Sequence, residues 1–284
     1  MTMGPTVRRR RLGFELRQLR ESHSIKLEEV AEQLGVAAST LSRIETGKAP
    51  TKSVYLNAML EMYGVDDPAQ RQVLIDMARE GHRKGWWSIN DDVLPSGFDI
   101  YVGLEAEASG LRSYETVLVH GLLQTMDYAV AVLRELRPRD SEEQISRVVD
   151  LRMRRQRLLD EDPPLDLWLI LDEGAIRRKI GGTKVMRPQL EHLIQASRWS
   201  NVTLQILGFE AGAHAGLIGP FSILDFPERG DSDVAYTESV GGMIYLEKER
   251  EVRACAEAFD RMRATALSPA TSVELIQQVL EEFH

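Results

Sequence analysis

The chain has 284 residues, of which 28% are charged and 43% hydrophobic, and a formal net charge of −9. That length exceeds one ordinary core of roughly 100–150 residues, so two domains are expected. One cysteine, Cys255, excludes an internal disulfide or a multi-cysteine zinc site. No apolar run approaches the ~20 residues of a membrane helix, and the basic start MTMGPTVRRRRLGFELRQ lacks the apolar core of a secretory signal, so a cytoplasmic protein without a membrane partner is expected.

Charge is uneven along the chain. Residues 1–60 hold ten Lys and Arg against six Glu, a net +4, which leaves −13 on the remainder. A basic head on an acidic body suits a polyanion docking at one end; the plain alternative is a chance cluster, Arg8 to Arg11, on a tail. Leu12, Leu16 and Leu19 recur at helical spacing and predict a first helix from about Arg8 to Ser22, with Phe14 off the stripe. A second, short helix follows Ile25, with Leu27, Val30, Ala31 and Leu34 on one face and Glu28 and Glu29 in the first turn, where carboxylates favour the helix dipole. Gly35 ends it. A third helix starts near Ala38, with Leu41 and Ile44 inward and Ser39, Thr40, Ser42 and Arg43 outward, and Gly47 closes it. A fourth runs from Lys52 to Tyr63.

Two short helices joined by a tight glycine turn, the second with a polar outer face, make a helix-turn-helix whose second helix can lie in a major groove. The stretch LEEVAEQLGVAASTLSRIETGK resembles the helix-turn-helix of Cro/C1 (xenobiotic-response-element) type over about residues 8–65. The resemblance implies double-stranded DNA as partner. It implies base reading by Ala38, Ser39, Ser42 and Arg43, and phosphate contacts from Thr40, Lys48, Thr51 and Lys52. It also implies a buried ion pair, Arg20 with Glu45. Arg8, Arg9, Arg10 and Arg11 are expected to add phosphate or minor-groove affinity. The chain departs from the family at Ala37 and Ala38, where relatives often carry glutamines, and at Lys26-Leu27, where a Ser or Thr cap is usual; Lys26 is expected to replace the lost clamp as a point charge. Arg43 is then the one long donor on the reading face, and arginine to guanine O6/N7 is the commonest specific contact. The alternative for Arg43 is a solvated surface charge.

Pro68 opens a connecting helix with Val73, Leu74 and Met77 apolar, followed by a glycine- and proline-punctuated stretch holding Trp86 and Trp87. Tryptophan is seldom left wholly exposed, so a clamp is favoured over an open interaction surface. From Ile100 the chain reads as mixed α/β. DIYVGLEAEASGL reads as helix and RSYETVLV as strand; GLLQTMDYAVAVLREL reads as a turn and a helix with Thr125 as N-cap; SEEQISRVVDLRMRRQRLL reads as a helix capped by Ser141. PLDLWLILD is a buried strand, DEGAIRRKIGG a short helix, RPQLEHLIQAS a helix, and NVTLQIL, PFSILDF, DVAYTES and MIYLE are strands. Two helices, at about 247–266 and 269–283, finish the chain, and their apolar residues around Cys255 and Phe259 are a candidate homodimer seam, with packing on the sheet as the alternative.

The set LEAEASGLRSYE, GLLQTMDYA, LRMRRQRLL, LDEGAIRRKIGG, FEAGAH, GPFSILDF and YTES resembles the long C-terminal domain behind helix-turn-helix modules in actinomycete sporulation and secondary-metabolism regulators, often encoded beside a small partner protein. The fold expected is an N-terminal all-α helix-turn-helix bundle (residues 1–66), a helical connector (67–97) and a C-terminal mixed α/β (α+β) domain (98–284) for sensing, dimerisation or partner binding. The function expected is a transcriptional regulator; the alternative is an antitoxin-like protein that binds a small partner and uses DNA for autoregulation. His120, Gln124 and His214 are candidates for a ligand or partner lip, against a plainer role in turns and caps. Arg152, Arg154, Arg155 and Arg157 are a candidate second basic patch, but they surround their helix rather than line one face, so they are expected to be solvated and neutralised by neighbours such as Glu161 and Asp162. Asp172, Glu173, Asp225, Glu238 and His214 are the residues an enzyme would use, but no catalytic or phosphate-loop motif accompanies them, so no enzyme, cofactor or metal is expected.

Overall fold

The computed structural model describes residues 7–81, 93–95, 97–226 and 233–283. Trp86, Trp87, His82, His284 and the side chain of Arg8 lie outside the described residues. The chain divides into two compact units, a helical head and a larger α+β body. No helix among the described residues is long and apolar enough to cross a membrane.

The head is built from α1 (Val7–Ser22), α2 (Leu27–Gln33), α3 (Ala38–Glu45), α4 (Ser53–Met62), α5 (Pro68–Gly81) and α6 (Phe98–Glu105). One core unites the first five: Leu12 and Leu16 of α1, Val30 and Ala31 of α2, Leu41 and Ile44 of α3, Leu56, Met59 and Leu60 of α4, and Leu74 and Ala78 of α5. Burying a leucine such as Leu41 fully contributes about 1.5–3 kcal/mol, so this stripe fixes which face of each short helix turns outward. The α2–α3 turn is made by Gly35, whose φ of +65° lies in the left-handed region.

The body holds a six-stranded sheet in the order β3-β2-β1-β4-β5-β6, from β1 (Gly110–Glu115), β2 (Asp166–Asp172), β3 (Val202–Leu207), β4 (Phe221–Asp225), β5 (Val234–Ser239) and β6 (Gly242–Leu246). The first three strands are parallel and the last three join antiparallel. The parallel crossovers run through α7 (Met126–Leu136) and α8 (Glu142–Arg155), then through α9 (Glu173–Arg177) and α10 (Thr183–Ala196). Strand alternation sorts the side chains into two faces. Tyr114, Ile170, Ile223 and Ala235 share one face and pack under Val252, Phe259 and Met262 of α11 (Glu249–Thr265). By register, Ser113, Glu115, Ser222, Tyr236 and Glu238 share the other. The last helix, α12 (Pro269–Glu282), closes the β3 edge: Ile206 donates its N–H to the buried Ser272 hydroxyl at 2.8 Å.

Several sequence expectations shift. The reading of DIYVGLEAEASGL as helix holds only to Glu105, because Gly110 and Leu111 are taken by pairing with β2 and β4. The strand read to Val119 stops at Glu115. Phe259 lies wholly inside the body against the sheet, and Cys255 is partly buried beside it. Arg155 is buried rather than solvated, as is most of Arg152.

Candidate nucleic-acid interface

The third helix is short and strongly two-faced. Leu41, Ile44 and Glu45 are buried, while Ser39, Ser42 and Arg43 are exposed and Ala38 and Thr40 are half-buried. Ala38 also packs in part against the core, so less of it faces outward than the spacing predicts. Three lysines on the elements flanking α3 in sequence are exposed: Lys26 at the start of α2, Lys48 just after α3, and Lys52, whose Nζ lies 5.7 Å from the Tyr55 ring centre. Arg10 and Arg11 are half-buried on α1. Neither α2 nor α3 has a side-chain N-cap: Lys26 and Ala37 hold those positions without a capping acceptor. At α2 only the reciprocal half of a capping box forms, Lys26 N–H donating to Glu29 Oε2 at 3.3 Å.

Two of the expected phosphate contacts are turned inward. Arg9 is only 4% exposed; burial lowers its guanidinium's pKa, while Glu107 and Asp99 of the same unit oppose the shift. Thr51 is likewise 4% exposed. Both are corrected from contacts with DNA to parts of the head's interior, since a buried side chain offers no surface to a phosphate.

Behind the reading face, Arg20 and Glu45 form a two-point ion pair, Nε to Oε1 at 2.7 Å and Nη2 to Oε2 at 3.0 Å. Arg20 Nη1 also donates to the Ile25 carbonyl at 2.9 Å, so one guanidinium ties α1 to the end of α3 and to the α1–α2 turn. Hydrogen bonding to Glu45 raises the Arg20 pKa further. Beside the pair lies the buried Tyr63 hydroxyl, without a partner among the described residues; burial, then the Glu45 charge, drives its pKa well up. One contact escaped the sequence reading. A Cβ built on Gly13 would stand 2.5 Å from the carbonyl oxygens of Ile44 and Glu45, so α1 meets the end of α3 backbone to backbone. Its only sequence signal is a glycine inside an otherwise good helical pattern.

Two known families match the chain. A helix-turn-helix domain family matches residues 11–74, and the family described as "Domain of unknown function (DUF5753)" matches residues 98–278. The chain belongs to the DUF5753 family. No curated protein and no solved structure matches it. The head is a helix-turn-helix domain, which points to a DNA-binding regulator rather than an enzyme; the DUF5753 family name assigns no chemistry.

In the DUF5753 body, the candidate lip residues do not form one lip. His120 and Gln124 are buried on the Glu115 face of the sheet. His120 Nδ1 accepts from Leu122 N–H at 3.3 Å, and Gln124 donates to the Val119 carbonyl at 2.6 Å and accepts from Arg152. His214 stands edge-on to Tyr114 at 5.8 Å between ring centres, on the opposite face. The carboxylates of the enzyme alternative have structural partners. Asp172 caps α9 at Gly174 N–H, 2.8 Å; Glu173 accepts from Arg177 and from Phe209 N–H; Asp225 pairs with Arg112; Glu238 accepts from Tyr236. Sequence reasoning missed Gln189. It is fully buried, donates to the Leu123 carbonyl at 2.7 Å and accepts from Thr125 N–H at 2.8 Å, so it pins the GLLQT turn to α10.

Proposed function

We propose that the chain is a sequence-specific transcriptional regulator of Cro/C1 type, of the kind found in actinomycetes, reading a major groove with α3. One observation carries the reading: a helix whose apolar side is locked into the core presents Ser39, Ser42 and Arg43 outward among exposed Lys26, Lys48 and Lys52. Arg43 supplies the fork that recognises guanine, and Ser39 the shorter contact. The lysines, with Arg10, Arg11 and Thr40, hold the phosphates and set the register. The helical head acts as the DNA module, and the α+β body as the part that dimerises and answers to a partner or ligand. A homodimer would set two heads about 34 Å apart, one helical turn, and read a palindrome.

The test is a selection of bound sequences from a randomised duplex, run with the full chain and with Arg43→Ala. The wild type enriches a defined site, and the variant loses preference at one base pair by about 1–3 kcal/mol. Equal weakening over all sequences would make Arg43 a phosphate contact. No enrichment by the wild type would overturn the proposal.

A further inference from the structure

One end of the body's sheet is edged with apolar side chains. β1, β2, β3 and β5 all point their carboxyl ends there, and β4, which runs against β1, starts there. Val117 follows β1, Phe209 follows β3, Val240 follows β5, and Leu217 and Ile218 precede β4. All five are exposed, from 46% at Val117 to essentially full exposure at Ile218 and Val240. Neighbouring strands lie about 4.8 Å apart, so from β3 across to β5 these side chains edge a strip roughly 19 Å long.

The backbone of this strip is held by the core. Gly216 lies so close to it that a built Cβ would stand 2.4 Å from Met262 Sδ and from Tyr114 Cε1. His214 Nδ1 accepts from Gly216 N–H at 3.2 Å, and its ring stands edge-on to Tyr114. At the two ends of the connection, Phe209 N–H donates to Glu173 at 2.8 Å and Thr237 of β5 donates to the Pro220 carbonyl at 2.9 Å. Leu217 and Ile218, the two residues after Gly216, are thereby turned to solvent. Burying such a side chain contributes about 1.5–3 kcal/mol, which the isolated chain forgoes twice in one pinned loop. Charge is missing from the same surface. The connections are residues 116–125, 208–220 and 239–242, and Glu210 is their one charged residue in a chain that is 28% charged. At the neighbouring strand ends Asp172, Glu173 and Glu238 accept from Gly174 N–H, Arg177 and Tyr236.

We propose that this apolar end of the sheet is the seam of the homodimer, covered by the same strip of a second copy. Charge selects that occupant. The chain beyond residue 60 carries −13, so two bodies repel over most of their surface, and a strip almost free of charge lets them meet without setting like charges in contact. The three connections hold no Lys or Arg, so they offer nothing to nucleic acid or to an anionic membrane. Exposed aliphatic and aromatic side chains with charge depleted are the composition of a dimer-interface core. A strip of this length suits the ~800 Å² that each partner buries in a standard interface, and a twofold contact of the strip with its own copy needs no second complementary surface. This names the partner surface for the homodimer of the proposed function and rests on that reading.

The experiment is sedimentation equilibrium of the full-length chain, without DNA, at micromolar concentrations. The wild type sediments as a dimer. Ile218→Glu sets a carboxylate against its own copy, and Val240→Glu does so from a separate connection; each weakens dimerisation by at least about thirtyfold. Both side chains project into solvent, so the variants keep the fold. Leu136→Glu, also exposed but at the end of α7, leaves the dimer unchanged. A dimer that both Ile218→Glu and Val240→Glu leave intact overturns this seam while the homodimer itself stands. A monomeric wild type overturns the seam and the homodimer together, and its binding to neutral phosphatidylcholine vesicles, lost in Ile218→Glu, would assign the strip to a lipid surface instead. Reading of a single half-site by the head is untouched by any of these results, so the head's function stands or falls separately.

Discussion

Replacing Arg20 by alanine is the severest single perturbation of the head. It removes two charge-assisted bonds to Glu45, at 2.7 and 3.0 Å, and a third to the Ile25 carbonyl at 2.9 Å. It also strands the Glu45 carboxylate, itself only 6% exposed, beside the unpartnered Tyr63 hydroxyl. Breaking one side of a buried pair costs about 3–5 kcal/mol, and a module of roughly 75 residues holds only about 4–11 kcal/mol in all. Arg20→Ala therefore spends most of the head's stability. Hydrogen exchange at the α1 and α3 amides of the full chain measures this locally, because protection reports the opening free energy of each cooperative unit. The loss should be confined to head amides. Arg20→Met with Glu45→Leu, which removes both charges together, should recover most of the stability, since an apolar replacement of a buried pair is often neutral or better. A single variant that loses less than about 1 kcal/mol, or a double variant as weak as the single, would refute the reasoning.

Gly13→Ala should destabilise the head by about 1–3 kcal/mol through overpacking, because the obstructing atoms are backbone carbonyls of α3 and cannot rotate away; urea melts followed by circular dichroism check it, and an unchanged midpoint would show that α1 can slide. In the body, Glu115 and His120 pull stability in opposite directions with pH. Glu115 has a folded pKa of about 8 against 4.5 when free, so the folded state holds the extra proton and stability falls as pH rises from about 4.5 to 8. His120 has a folded pKa of about 3 against 6.5, so the unfolded state takes the proton and stability falls as pH drops below about 6.5. Their summed contribution is a plateau between about 4.5 and 6.5 with losses on both sides; melting temperatures across pH 4 to 9 test it, and Glu115→Gln should remove the alkaline fall and turn the plateau into a rise that levels off near pH 6.5.

The head's helices were legible because their apolar spacing is regular and glycines punctuate the turns: Leu41 and Ile44 alone determine which side of α3 faces outward. What the local pattern omits is contact with distant chain. Arg9 reads as one more basic residue of a tail, yet it is enclosed in a unit that also contains Asp99 and Glu107, some ninety residues onward in sequence. The same holds in the body. α10 reads as RPQLEHLIQAS, from Arg187, but Gly182 at φ +80° launches the helix at Thr183 and Met186 extends its buried stripe. Arg152 and Arg155 read as solvated because their helix carries arginines on every side. Their burial follows from the parallel pairing of β1 with β2, which sets α8 over the Glu115 face, and no local periodicity encodes that register.

The central claim is that the head holds duplex DNA through an outward α3 ringed by cations. The most direct measurement is the affinity of the full chain for its selected duplex as a function of salt. Affinity should fall linearly on logarithmic axes, by about 0.9 for each phosphate neutralised, and Lys48→Ala should reduce that slope by about 1 while leaving the preferred sequence intact. An affinity indifferent to salt, or a Lys48→Ala variant with an unchanged slope and altered sequence preference, would contradict the placement of α3 and its lysines on DNA.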